Sequence, residues 1–307
     1  TLARLQPNLF HSNGIKFHLL TSLAKLPSVP IIWHIHDFLS LRPLMGRALR
    51  WASRRAQGAI AVSQAVQQDA QKVVSNLPVE LIYNGIDTDE FSPGSAPGGW
   101  LDQLADLTPG GPETIRIGLV ATYARWKGHE VFLRSAAQVL KTLPQPTVRF
   151  FIIGGPIYQT RGSQFTTEEL RTLAATLQIE SRVGFVPFQE NPADVYRALD
   201  VVVHASTKPE PFGRTIVEAM ACGKPAIAAQ TGGAAELFTH DHDAVGVPPG
   251  DPATLAAAIR QIIEDADQRQ SLGCNARQTV VERFSRRRLG PQLLSIYCRL
   301  LHLSVAA

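Results

Sequence analysis

Two glutamates, Glu210 and Glu218, lie on either side of a glycine in the segment EPFGRTIVEAM and could hold a phosphorylated carbohydrate. Prolines on both sides keep Glu210 in extended backbone, because proline fixes its own φ and disfavours helix at the residue before it. Gly213 marks a predicted helix start, where unpaired first-turn amides and the helix dipole attract phosphate. Glu218 follows about one and a half turns later. It could accept hydrogen bonds from a ribose, and Glu210 could contact a sugar on the other side of the phosphate.

The sequence around this pair supports a ligand site. The spacing alone is weak evidence, because glutamate is common and a buried helix capped by a proline-rich turn would show the same pattern. Here, however, the segment follows an apolar predicted strand, DVVVHAS, and precedes a second strand that ends in a glycine pair, ACGKPAIAAQTGG. Ligands of open α/β sheets bind at the carboxyl ends of the strands.

The elements that must position these residues alternate between short β-branched runs and amphipathic stretches, which predicts βαβ units and parallel sheets. Residues 92–112 are rich in proline and glycine and are typical of a linker. We therefore expect a partial N-terminal domain with its linker over 1–112, a second doubly wound domain of about six strands over 113–284, and a C-terminal helix over 285–307. The first domain shows three clear strands, PIIWHIH, GAIAVS and VELIYNG, so we expect the sequence to begin part way through that domain.

Composition excludes several classes of protein. No apolar run reaches the ~20 residues that a membrane span needs, and the three cysteines form neither a CxxC pair nor a disulfide pattern, which favours the cytosol. The formal charge of +4 is mostly interspersed, which argues against a nucleic-acid partner. The cluster ERFSRRR, with Arg283 and Arg286 to Arg288, has two interpretations, contact with anionic lipid headgroups or a solvated helix surface.

The segment from Glu210 to Leu237 resembles the nucleotide-sugar site of the retaining glycosyltransferase family 4, also called glycosyl transferases group 1. Four more blocks resemble the family in the family's order: YNGIDTDEFSP, WKGHEVFLRSAAQVL, FIIGGP and GVPPGDPATLAAAI. The resemblance implies an α/β fold of the GT-B class, with two Rossmann-like doubly wound domains facing a cleft and an incomplete N-terminal domain. It also implies that the C-terminal helix packs back on the N-terminal domain.

The resemblance also implies roles for individual residues. Glu210 would contact hydroxyls of the transferred sugar, and Glu218 would bind the ribose. Lys127 would neutralise the diphosphate, and His36, at the end of its strand, would face the donor sugar unless it is a satisfied core histidine. The remaining donor-binding residues would be Phe212, Gly213, Arg214 and Thr215, whose amides lie near sugar and diphosphate, Gly154 and Gly155, which let the backbone approach the nucleotide, and Val186, which lies beside the base.

The sequence departs from the family pattern a few residues ahead of Lys127. Family members commonly have glycine and arginine where this sequence has Ala121 and Thr122. Arg125 could supply the missing cation, because a guanidinium can bridge phosphate oxygens, or it could be an exposed loop arginine.

We expect no metal and no cofactor. The short DxD pattern of metal-dependent glycosyltransferases occurs three times, at 87–89, 241–243 and 265–267, in turns or at a helix boundary where aspartate is common. The expected activity is metal-independent, retaining transfer of a sugar from a nucleotide-diphosphate sugar to a hydroxyl of a glycan, lipid-linked or small-molecule acceptor. Two alternatives stay open: a sugar-nucleotide epimerase or phosphorylase of the same fold, and a non-catalytic sugar-nucleotide-binding module. The donor base, the donor sugar, the acceptor and the oligomeric state stay open as well.

Overall fold

The computed structural model describes residues 5–24, 29–97, 99–143, 148–157 and 162–303. The chain divides into two compact units, the first made of Thr1–Gly85 and Phe284–Ala307 and the second of Ile86–Arg283. Each unit contains one parallel sheet. Within the described ranges, no helix combines the length and the apolar character that a bilayer crossing requires.

The first unit is built on a four-stranded parallel sheet in the order β1-β2-β3-β4. The strands are β1 (Phe10–Asn13), β2 (Ile31–Ile35), β3 (Gly58–Ala61) and β4 (Val79–Leu81), and the helices between them are α1 (Ile15–Leu23), α2 (Pro43–Ala52) and α3 (Gln64–Val73). The last three strands correspond to the three predicted from the sequence. We did not predict β1, because its sequence FHSN is short and polar and resembles a loop.

The last helix of the chain, α11 (Leu289–Leu300), packs within the first unit. Ile296 joins a buried cluster with an isoleucine from β2, one from β3 and one that follows β4. The Tyr297 hydroxyl hydrogen-bonds the ring of His11 in β1, and Arg299 forms an ion pair with Glu80 at 2.5 Å. A helix that comes last in the sequence therefore completes the core of the first unit.

The second unit is built on a six-stranded parallel sheet in the order β10-β9-β8-β5-β6-β7. Its strands are β5 (Ile115–Val120), β6 (Val148–Ile153), β7 (Val183–Val186), β8 (Val201–His204), β9 (Ala226–Ala229) and β10 (Val245–Val247). The chain moves outward from β5 through β6 to β7 and then returns to the other side of β5, so the strand order reverses between β5 and β8. This doubly wound order and the six strands confirm the predicted α/β class.

Two helices of the second unit begin at side-chain caps. The helices of this unit are α4 (Trp100–Leu104), α5 (His129–Thr142), α6 (Thr167–Thr176), α7 (Pro192–Ala198), α8 (Arg214–Ala221), α9 (Pro252–Glu264) and α10 (Ala266–Arg283). Thr166 and Glu169 form a reciprocal capping box at the start of α6. Asp251 caps α9 by accepting hydrogen bonds from the amides of Ala253 and Thr254.

Residues 86–112, which we assigned to the first domain and its linker, lie in the second compact unit. The physical reason is Asp102, which is fully buried and forms ion pairs with Arg116 at 2.7 Å and Arg149 at 2.6 Å. Burial alone would raise the pKa of Asp102, but hydrogen bonds from the two arginines hold it below its ordinary value. This carboxylate connects α4 to β5 and β6 through ion pairs. Composition alone does not reveal such a contact.

Candidate functional site

A cavity of about 410 Å³ lies at the carboxyl ends of β5 and β6 in the second unit. It is lined by Val120, Ala121, Thr122, Ile153, Gly154, Gly155, Ile157, Phe188, Gln189, Pro192, Val195, Tyr196, Arg214, Thr215 and Glu218. The lining is mostly apolar with a few polar groups, which is typical of small-molecule sites. Its position beside the reversal of strand order is where ligands of doubly wound sheets bind.

The glycine turn after β6 contributes backbone to this cavity. Gly154 has a φ of +140°, and a Cβ atom there would lie 2.1 Å from the carbonyl oxygen of Ala121. Its amide donates to the carbonyl of Val186 at 3.0 Å. At Gly155, by contrast, an added Cβ would meet no atom within 4 Å. Gly154 is therefore required by the packing of the turn, whereas Gly155 keeps the wall of the cavity open.

The start of α8 lines the cavity through Arg214 and Thr215. Gly213 precedes the helix with a φ of +101°, a conformation that favours glycine. No acceptor for the amides of Gly213, Arg214 and Thr215 is found among the described residues. The first turn of α8 therefore offers unpaired donors, together with the positive end of the helix dipole.

Glu218 lies on α8 and lines the same cavity, although its side chain is only 8% exposed. Its Oε2 accepts a hydrogen bond from the Tyr196 hydroxyl at 2.7 Å, and its Oε1 accepts one from Arg214 Nε at 2.5 Å. Burial and the neighbouring Glu218 charge raise the pKa of Tyr196 well above its ordinary value. The Tyr196 hydroxyl therefore stays protonated, and by donating a hydrogen bond it holds the Glu218 carboxylate in place.

Glu210 and Lys127 form a second, mostly buried pair. Lys127 Nζ donates to Glu210 Oε1, which also accepts from Ser206 Oγ at 2.6 Å and lies 3.0 Å from His204 Nε2. Burial alone would raise the pKa of Glu210, but the nearby His204 and Lys127 lower it by a larger amount. The pKa of Glu210 is therefore below its ordinary value. The structure thus brings together a lysine and a glutamate that are 83 positions apart in the sequence.

Two glycines make this pairing possible. Gly128, next to Lys127, has a φ of +79°, and a Cβ there would lie 1.8 Å from the carbonyl oxygen of Ala205. At Gly232, in the predicted glycine pair, a Cβ would lie 2.6 Å from the carbonyl oxygen of Glu210. The amide of Gly233 donates to that same carbonyl at 2.7 Å. The backbone on both sides of the ion pair therefore packs too closely for any larger residue.

Four of the nine predicted donor-binding residues are not part of the cavity wall: Arg125, Val186, Phe212 and Gly213. Phe212 is buried immediately before Gly213. Arg125 instead forms an ion pair with Glu169 at 2.6 Å and lies 4.3 Å over the ring of Phe165. Val186 is fully buried, and the cavity is lined by Phe188 and Gln189, which follow it after β7. The exposed cation that lines the cavity is the guanidinium of Arg214, whose side chain is 72% exposed.

The three predicted catalytic residues, His36, Lys127 and Glu210, also lie outside the cavity lining. His36 belongs to the first unit, where it follows β2 and its ring lies 4.3 Å from that of His34. Burial lowers the pKa of His36, with a partly opposing effect from Asp37. Its Nε2 is buried without a hydrogen-bond partner in the described structure.

Three polar residues that hold the carboxylates were not singled out in the sequence: Tyr196, His204 and Ser206. The last two had a signal, since they are the polar residues at the carboxyl end of the apolar strand segment DVVVHAS. Tyr196 had none, because a buried tyrosine in a short helix looks the same as a core residue.

The three DxD segments serve local structure. Asp87 accepts a hydrogen bond from the amide of Asp89 at 3.1 Å, and Asp265 accepts one from the amide of Gln268 at 2.8 Å. Asp243 is buried and bonds the amide of Thr239 at 2.6 Å. In the part of the chain that the structure describes, no three histidine, cysteine or acidic side chains are grouped so that they could hold a metal ion.

Comparison with known families defines the class to which this fold and site belong. The family model "Glycosyl transferases group 1" matches residues 111–279, and the model "Glycosyltransferase Family 4" matches residues 1–90. These two matches cover most of both units and the whole cavity lining. The chain therefore belongs to the glycosyl transferases group 1 family, and its fold is of the GT-B class.

Named relatives agree with this assignment. The chain is 32% identical over 204 residues to a D-inositol 3-phosphate glycosyltransferase of Corynebacterium kroppenstedtii. The aligned region covers 64% of this chain and 43% of that protein. The chain thus spans about half the length of the curated relatives it matches. Anabaena Alr3699/HepE, solved in complex with UDP, superposes with a TM-score of 0.83 at 28% identity, covering 96% of this chain and 82% of that one. The same protein in complex with UDP-glucose gives a TM-score of 0.79 at 29% identity, covering 94% and 79%.

Proposed function

We propose that the protein is a retaining glycosyltransferase that moves a sugar from a nucleotide-diphosphate sugar to a hydroxyl acceptor without a metal ion. The single observation that supports this most strongly is the cavity in which the unpaired amides of α8, Arg214 and the anchored Glu218 converge. Amides and a guanidinium suit a diphosphate, and a carboxylate suits the vicinal hydroxyls of a ribose.

The donor tested first should be a uridine diphosphate sugar. The solved Anabaena protein holds UDP in one structure and UDP-glucose in another, at 28% and 29% identity to this chain. In our proposal the ribose hydroxyls donate to Glu218, the diphosphate lies against the first turn of α8, and the backbone at Gly155 leaves room for the nucleoside. Phe188 and Gln189 lie beside the base.

Transfer requires stabilisation of the negative charge that develops on the departing diphosphate. Lys127, Arg214 and the α8 amides would supply it, and each such preorganised donor contributes about 3 kcal/mol to lowering a barrier. Glu210, held by Lys127, Ser206 and His204, would accept hydrogen bonds from the transferred sugar and position it without bonding to it.

Retention follows if the acceptor attacks the face from which the phosphate leaves. The acceptor oxygen forms a bond to the anomeric carbon while the bond from that carbon to the phosphate oxygen breaks, and the acceptor proton passes to the departing phosphate oxygen. The acceptor is a hydroxyl of a glycan, a lipid-linked sugar or a small molecule.

Product analysis tests this proposal. The protein is incubated with UDP-glucose and an acceptor panel in the presence of a chelator, and the product's anomeric configuration is read by NMR. We expect an acceptor-dependent product with the α configuration of the donor. Lys127→Ala should reduce the rate about 10²- to 10³-fold, while Lys141→Ala, at the exposed end of α5, should leave it unchanged.

Other outcomes would contradict the proposal. Conversion of the nucleotide sugar without an acceptor would indicate an epimerase, and a requirement for inorganic phosphate would indicate a phosphorylase. An inverted product would exclude retention, and loss of activity with the chelator would exclude metal independence. Donor binding without turnover across the panel would favour a binding module.

A further inference from the structure

One short segment of the first unit is strongly basic. Residues 41–55, LRPLMGRALRWASRR, contain five arginines and no acidic residue. The whole chain carries +4, so the remainder carries −1 in total (+4 less +5). This segment comprises α2 with the residues on either side of it, and we call its solvent-facing side the α2 surface.

The α2 surface also exposes large apolar side chains. Leu41 is 73% exposed, Leu44 82% and Trp51 55%. Leu44 and Trp51 are seven residues apart, close to two helical turns, and therefore project from the same face of α2. A helix that only covers a core would place polar residues there.

The arginines on this surface are mostly unused by the fold. Arg47, Arg54 and Arg55 are exposed and have no ion pair or side-chain hydrogen bond in the described part of the chain. Arg42 lies 3.9 Å from Asp37 in a solvent-exposed pair, and Arg50 donates to the backbone carbonyl of Val73 at 2.9 Å. Three guanidinium groups thus remain available to an anionic partner beside the apolar stripe.

The neighbouring helix also exposes apolar side chains. α1 packs beside α2. Phe17 is 61% exposed and Leu20 59%. Lys16 is exposed next to them and adds a further positive charge. Exposed apolar side chains therefore occur on two adjacent helices with basic residues around them.

We propose that the α2 surface binds the surface of an anionic lipid bilayer. Leucine and tryptophan side chains enter the boundary between headgroups and acyl chains, and arginines bind the headgroup phosphates. A nucleic acid would use the arginines but would leave Leu41 and Leu44 in water, so the combination of the two features favours lipid. The inference is independent of the proposed transfer reaction, and it would hold the first unit at a membrane surface.

Sedimentation with lipid vesicles tests this surface. We expect the full chain to bind vesicles that contain 30% phosphatidylglycerol and to bind pure phosphatidylcholine vesicles at least tenfold more weakly. The variant Arg47→Gln, Arg54→Gln, Arg55→Gln should lose about fivefold in affinity per arginine, or about a hundredfold in all. The control variant Arg134→Gln, Arg171→Gln, Arg260→Gln removes the same charge from the second unit and should bind like the parent chain.

A second pair of variants separates the apolar contribution from the charge. Leu44→Ser with Trp51→Ser should abolish the binding that persists at 0.5 M salt, where electrostatic attraction is screened. The control, Leu294→Ser with Val281→Ser, changes two exposed apolar residues elsewhere and should keep that binding. All variants are on the surface, and thermal unfolding verifies that they fold.

Three results would overturn the proposal. One is the absence of binding to anionic vesicles by the parent chain, and another is an equal loss of binding by a variant and its control. The third is tighter binding to a single-stranded oligonucleotide than to vesicles with no effect of the Leu44 and Trp51 changes, which would identify a polyanion site instead.

Discussion

Glu210 and Glu218 are both anchored by donors that the protein supplies. Tyr196 and Arg214 hold Glu218, while Lys127, Ser206 and His204 hold Glu210. Side chains held in this way lose little conformational freedom when a ligand binds, which favours affinity and correct orientation. The proposed donor site is thus largely preformed.

The Tyr196 hydroxyl should therefore matter for donor binding because it holds Glu218. Tyr196→Phe leaves Glu218 Oε2 without its buried donor, a loss of about 1 to 3 kcal/mol. We expect the dissociation constant of a nucleoside diphosphate, measured by calorimetry, to rise about 5- to 100-fold. Tyr297→Phe removes the same atom in the first unit and should leave that constant unchanged; an equal effect of both substitutions would argue against this role.

The sequence marks the positions of the two carboxylates, but it does not show which side chains contact one another in the folded protein. Glu210 and Glu218 have a local signature in the prolines and the glycine between them. Arg125 and Val186 were chosen by their positions in motifs. Arg125 forms an ion pair with Glu169, 44 residues further along the chain, and Val186 is buried in the core of the sheet. Such competition between partners is a tertiary effect that local spacing does not contain.

At the scale of single elements, the two glycines after β6 have different roles. We expect Gly154→Ala to destabilise the protein by about 3 kcal/mol, because the new Cβ would collide with the Ala121 carbonyl in a strained backbone conformation. Gly155→Ala should change stability by less than about 1 kcal/mol but weaken donor binding by narrowing the cavity. Chemical denaturation and calorimetry measure the two effects, and a destabilised Gly155→Ala with normal binding would refute the assignment.

The connection between α4 and the sheet depends on Asp102. Asp102→Asn leaves Arg116 and Arg149 without their buried counter-charge, which should reduce the free energy of unfolding by about 3 to 5 kcal/mol. Asp106→Asn makes the same change on an exposed residue and should have little effect. The backbone of Asp106 is left-handed, a conformation that asparagine tolerates. Urea denaturation distinguishes them; if Asp102→Asn were as stable as its control, the ion pairs would contribute nothing measurable.

Most strands and helices follow from periodicity and caps, and the exceptions have physical causes. The start of α9 is recognisable from local chemistry, because Asp251 is an N-cap and Pro252 lies in the first turn. β1 has no apolar run, and it is recognisable as a strand only when β2 lies beside it. Residues 86–112 resemble a linker in composition, yet a buried ion pair fixes them to the second unit.

At the scale of the whole molecule, the order of strands and helices determines the α/β fold class, and this was visible in the sequence. Each unit also encloses neutral histidines that the sequence did not reveal. Burial lowers the pKa of His18 and His34 to about 3 in the first unit and that of His129 to about 4 in the second. These groups link the stability of both units to pH.

The protein should lose stability below neutral pH. In the unfolded chain these histidines take up protons near pH 6.5, their ordinary pKa, while in the folded chain they stay neutral to about pH 3 or 4. The free energy of unfolding should therefore fall as the pH drops from about 6.5, by up to about 1.4 kcal/mol per pH unit for each histidine. Denaturation at pH 7 and pH 5 measures this, and His34→Gln should flatten the dependence. Equal stability at both pH values would contradict it.

A thermal-shift titration tests whether the cavity at the start of α8 binds a nucleotide-diphosphate sugar. Nucleoside diphosphates and their sugars are added to the parent chain and to Glu218→Ala, with Glu282→Ala as an exposed-glutamate control. We expect at least one of them to stabilise the parent and the control, by about 2.7 kcal/mol at a hundredfold excess over its dissociation constant, and to have far less effect on Glu218→Ala. Stabilisation by none of the ligands, or equal stabilisation of all three proteins, would show that this cavity is not the donor site.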